Sequence, residues 1–71
     1  MDQKMYDTML AKYKAELADA KYKIDCLSNN TIIIPEHVDI TKEIDELLRK
    51  ISSAEDKMSA MSRHYGANKA K

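Results

Sequence analysis

A chain of 71 residues with one Cys and two His offers few side chains that could do chemistry. Cys26 is the single thiol. A lone thiol is usually a small helix-compatible residue, and without a neighbouring base it is a poor nucleophile. Glu36 and His37 are adjacent and, with Cys26, would make three metal ligands. Adjacent side chains on extended backbone diverge, and nothing else stands at ligand spacing, so no metal and no other cofactor is expected. His64 follows Arg63 and precedes Lys69 and Lys71, a basic end that could attract phosphate weakly. The same residues complement the negative end of a helix dipole, which is the preferred reading. The paired carboxylates Asp45-Glu46 and Glu55-Asp56 fall on solvated positions. No Gly-rich phosphate loop, nucleophile elbow or HExxH is present.

Two periodic segments must position whatever these side chains do. From Tyr6 the larger apolar residues fall at Tyr6, Leu10, Tyr13, Leu17, Ala20, Ile24 and Leu27, in alternating steps of four and three. That is a heptad seam, with Leu10, Leu17 and Ile24 at a and Tyr6, Tyr13, Ala20 and Leu27 at d. Asp2 can cap the start, and Asn29 or Asn30 can take the left-handed conformation that closes a helix. The spacing predicts a helix over about 3–28. The same rule runs through Ile40, Ile44, Leu47, Ile51, Ala54, Met58, Met61 and Tyr65. Asp39 or Thr41 can cap this second helix, predicted over about 39–65, and Gly66 stands one residue past the last seam position, where a C-terminal glycine belongs. Residues 67–71 should be a frayed tail.

Between the helices, about 29–38, Thr31-Ile32-Ile33-Ile34 is a run of β-branched residues ending at Pro35, which favours extended backbone. Ile32, Ile33 and Ile34 would pack across the end of the bundle or pair with a strand of another chain, and so are candidate partner contacts. Two helices of about 40 Å joined by such a connector fold back on each other. One register pairs Leu27 with Ile44, Ile24 with Leu47, Ala20 with Ile51, Leu17 with Ala54, Tyr13 with Met58, Leu10 with Met61 and Tyr6 with Tyr65; a one-heptad shift also sets a against d.

The expected fold is all-α: one domain over 1–71, an antiparallel two-helix hairpin with a heptad seam and a short extended connector, assembling as an oligomeric helical bundle. Two helices cannot enclose a core, and a chain this short buries only about 60% of its unfolded surface. Leu48 at e and Met9 at g extend the seam sideways. A second line on the first helix, Ala11, Ala15, Ala18 and Tyr22, either allows close approach of another helix or is a solvated face rich in a good helix former.

Composition narrows the partners. Twelve basic and twelve acidic residues cancel, which argues against a cationic nucleic-acid or membrane binder. One Cys excludes an internal disulfide framework, and the single Gly and Pro exclude a loop-rich or all-β fold. The polar start Met1-Asp2-Gln3-Lys4 and the lack of a long apolar run predict no leader and no membrane span. The expected setting is the cytoplasm or the interior of a viral particle, a phage or mobile element being a compatible source. The leading expectation is a non-enzymatic interaction module that binds itself and a larger protein, as an assembly chaperone, structural subunit or inhibitor. An RNA-binding four-helix-bundle dimer is a further alternative that would need a basic face.

One local resemblance carries an enzymatic alternative. Thr41-Lys42-Glu43-Ile44-Asp45-Glu46-Leu47-Leu48 resembles the Ser-Gln-x-Leu-Asp-x-Leu-Leu signature of the small aspartyl-phosphate phosphatases that regulate sporulation phosphorelays. The resemblance implies a helical hairpin acting on a phosphorylated response regulator, with Asp45 as the functional residue and Thr41 in the serine position. The chain departs from that pattern with Thr for Ser, Lys for Gln, and Ile51 where the family usually has Tyr.

Overall fold

The computed structural model describes residues 1–29 and 39–66, and among them the only secondary structure is two helices: α1, Gln3–Ser28, and α2, Ile40–Tyr65. The expected connector, with Ile32, Ile33 and Ile34, lies outside the described residues beyond Asn29, as do Glu36, His37 and the tail from Ala67.

Both helices start at an aspartate because its carboxylate can bond a backbone N–H that the first turn leaves without a partner. Asp2 has extended backbone, and its Oδ1 accepts from the Met5 N–H at 2.7 Å. Asp39 plays this part for α2: its Oδ1 accepts from the Lys42 N–H at 3.2 Å and from the Thr41 hydroxyl at 2.7 Å. The aspartate, rather than Thr41, is therefore the cap, and the threonine hydroxyl is turned onto it. The Thr41 bond, then the Lys42 bond, holds the Asp39 carboxyl below its ordinary value, which is about 3.9. A depressed folded value means that this cap stabilises above the unfolded value and loses its effect as pH falls through the folded one. Helicity of α2 should therefore fall below about pH 4. Circular dichroism should show a shallower acid loss in Asp39→Asn, which caps without titrating; identical slopes would remove Asp39 from the acid response.

Of the two asparagines that could close α1, Asn29 is described and Asn30 lies outside the described residues. Asn29 has φ −97° and ψ 5°, so it is not left-handed, and its N–H still donates to the Asp25 carbonyl at 2.9 Å. Gly66 has φ −65° and ψ −35°, ordinary right-handed helix. Glycine permits a left-handed turn without compelling one. Here the Gly66 N–H donates to the Met61 and Ser62 carbonyls, so the ladder continues past Tyr65 and no reversal is needed. A Cβ at Gly66 would meet the Ser62 and Tyr6 hydroxyl oxygens at 3.5 Å, ordinary contact. Gly66→Ala should thus stabilise the hairpin by about 0.5 kcal/mol by restricting the unfolded chain. A lowered melting temperature would show that the glycine is needed.

The two helices pack against each other. Tyr6, near the start of α1, reaches Gly66 at the end of α2, and Lys57 Nζ lies 5.3 Å from the centroid of the Tyr13 ring. The early part of one helix thus meets the late part of the other, which makes the hairpin antiparallel. Both contacts agree with the register that sets Tyr6 by Tyr65 and Tyr13 by Met58. A shift of one heptad would carry each pair about 10 Å apart along the axis.

On α1, Tyr6 and Ala20 are buried and Leu10, Tyr13, Leu17, Ile24 and Leu27 half-buried; on α2, Leu47, Ala54 and Met61 are buried and Ile44, Ile51 and Met58 half-buried. Ile40 and Tyr65, at the two ends of α2, are exposed. Ala20 and Ala54 are the most enclosed, at 1% and 2% exposure. Small side chains let the backbones approach, so they are the ones fully covered, while the larger neighbours reach past the contact into solvent.

Candidate functional site

The side chains singled out for chemistry are dispersed. Asp45 is exposed on α2 one turn after Thr41, which is also exposed. An i, i+4 spacing puts the two on one face of the helix. The Thr41 hydroxyl is engaged with Asp39 Oδ1 rather than directed along that face towards Asp45. Asp45 and Glu46 are both exposed, as are Glu55 and Asp56. Arg63 and His64 lie exposed in the last turn of α2, where a positive charge meets the unpaired carbonyls. Among the described residues no group of three or more His, Cys, Asp or Glu could hold a metal ion. With Glu36 and His37 outside them, the combination with Cys26 falls beyond what is described. No helix among those residues is long and apolar enough to cross a membrane.

Cys26 is half-buried and is not isolated from Tyr22, one turn before it. Hydrogen bonding with the Cys26 side chain favours the protonated phenol. The repulsion that a thiolate would exert adds to this, and together they raise Tyr22 above its ordinary value. The pair shares an open groove on one side of the hairpin with Lys23, Leu27, Glu43, Leu47 and Lys50. Its volume, about 420 Å³, is within the usual range for small-ligand pockets of about 300–1,000 Å³. Specific pockets also fix orientation with a few precisely placed polar groups, and among the described residues no polar or charged residue is buried. A second groove farther along the same side is lined by Glu16, Asp19, Lys50, Ser53 and Lys57, and is charged rather than apolar.

The remaining surface feature is apolar and asymmetric. On α1 the outward line Ala11, Ala15, Ala18 and Tyr22 is exposed throughout, with Tyr22 at 68%. Met5, on the same helix, is also exposed. On α2 the matching outward positions Lys42, Asp45, Arg49, Ser52, Asp56, Ser59 and Arg63 are polar and exposed. Of the two residues that extend the seam sideways, Leu48 is half in solvent at 50%, whereas Met9 is half-buried. The side chain of Leu48 leaves the hairpin on the side away from the two grooves, because it is one residue beyond the enclosed Leu47 and a helix turns about 100° per residue.

Several pairings follow from rules that apply to any helix. Asp19 and Lys23 form an ion pair at 2.9 Å, and Gln3 donates to Asp7 at 2.8 Å, both at the i, i+4 spacing that brings side chains together. The Lys57 ammonium over the Tyr13 ring joins the two helices, and it depends on the register, which heptad spacing alone leaves open. No family model matches the chain, and neither a curated protein nor a solved structure matches it.

Proposed function

We propose that this chain is a non-enzymatic helical interaction module, a coiled-coil hairpin that acts by associating with itself and by docking on a larger protein. The observation that supports this reading is the incomplete enclosure of the apolar residues. Only Tyr6, Ala20, Leu47, Ala54 and Met61 are buried among the described residues, while Met5, Tyr22 and Leu48 stand exposed outside the contact between the helices. A two-helix contact leaves much of each apolar stripe wet, and association is the usual way for a small chain to cover it. Assembly subunit, assembly chaperone and inhibitor are the roles such a hairpin fits, in a cytoplasmic or viral-particle setting. An RNA-binding dimer fits less well, since acids and bases are mixed along both grooves.

The test is the mass in solution of the wild type and of Ala15→Asp across a hundredfold concentration range. A wild-type mass above that of one chain, reduced in the variant, supports association through the outward face of α1. A higher mass that the variant leaves untouched supports association through another face. A wild-type mass of one chain at micromolar concentration removes self-association from the reading.

The second reading is an aspartyl-phosphate phosphatase of a response regulator, and the exposure of Asp45 one turn after Thr41 favours keeping it. On that reading Asp45→Asn abolishes dephosphorylation of a phosphorylated receiver domain and leaves helicity intact. As an exposed position it should change stability by no more than about 0.5 kcal/mol. Wild-type protein that leaves several phosphorylated receivers untouched would remove the phosphatase reading.

A further inference from the structure

We draw no further inference here: the strongest candidate, the open groove on one side of the hairpin floored by Leu27 and Leu47 with Tyr22 and Cys26 along its wall, carries no proposal because nothing in the structure shows what covers it.

Discussion

Leu47→Asp is expected to unfold the hairpin, and Leu48→Asp, one residue later, to leave it folded. Leu47 is 8% exposed in the contact with α1, whereas Leu48 is half in solvent. Truncating a buried leucine costs about 2–5 kcal/mol through lost packing alone. A carboxylate in its place adds the cost of a buried charge without a partner, and no cation is enclosed beside it, since no charged residue among those described is buried. At the usual stability per residue, a chain of 71 residues has only about 4–11 kcal/mol in all. The first substitution therefore consumes much or all of it. The second touches a surface position and should cost no more than about 0.5 kcal/mol. Helix content and urea midpoint, compared for the two variants in dilute protein, decide the matter. Equal losses would mean that α2 presents a different face to α1.

The contrast between two adjacent leucines also marks how far the sequence could be read. Alternating steps of four and three are enough to give two helices that fold back on each other, because that spacing makes one apolar stripe on each and a stripe has to be covered. Start signals were legible for the same reason: a capping aspartate acts through its own next three residues, so Asp2 and Asp39 need no tertiary information. The C-terminal ends were less so. Asn29 and Gly66 can adopt left-handed backbone, but whether they do depends on where the chain goes next; Asn29 stands at φ −97° and ψ 5°, and Gly66 in ordinary right-handed helix. The width of the stripe follows from the same spacing. Leu48 lies beside the seam in the heptad pattern, but a helix has one near neighbour in the described hairpin, and a side chain turned about 100° from Leu47 passes outside it. Cross-helix pairs such as Lys57 with Tyr13 depend on register, and a repeat cannot report its own register.

Chemistry was the least legible part. A single thiol, scattered carboxylates and a histidine in a last turn are each explained by helix propensity, solvation or the dipole. The structure brings Tyr22 to Cys26 and Thr41 to Asp39, but both pairings are local, and neither builds a site from two distant parts of the chain. What the fold gathers from two helices is one charged groove and an apolar contact: Leu27 and Leu47 in the other groove, and the small residues Ala20 and Ala54 deep between the helices.

If self-association is the use of those surfaces, thermal stability should depend on how concentrated the protein is. A fold that is completed by a second copy gains free energy by mass action, and an isolated fold gains none. Diluting the chain a hundredfold, from well above its dissociation constant, should remove about 2.7 kcal/mol of apparent stability. For a domain of this size each kcal/mol moves the melting temperature by about 4–8 °C, so the expected fall is about 10 °C or more. The outward face of α1 gives the matching control. Ala11, Ala15 and Ala18 make no part of the contact with α2 and are exposed along their whole line. A charge at Ala15 should therefore leave the hairpin itself intact while obstructing a helix laid over it. In the variant the melting temperature should become nearly independent of concentration and equal that of dilute wild type. A wild-type melt that stays sharp and fixed across the dilution, with the mass of one chain throughout, would sink self-association and leave docking on a larger partner as the remaining form of the proposal.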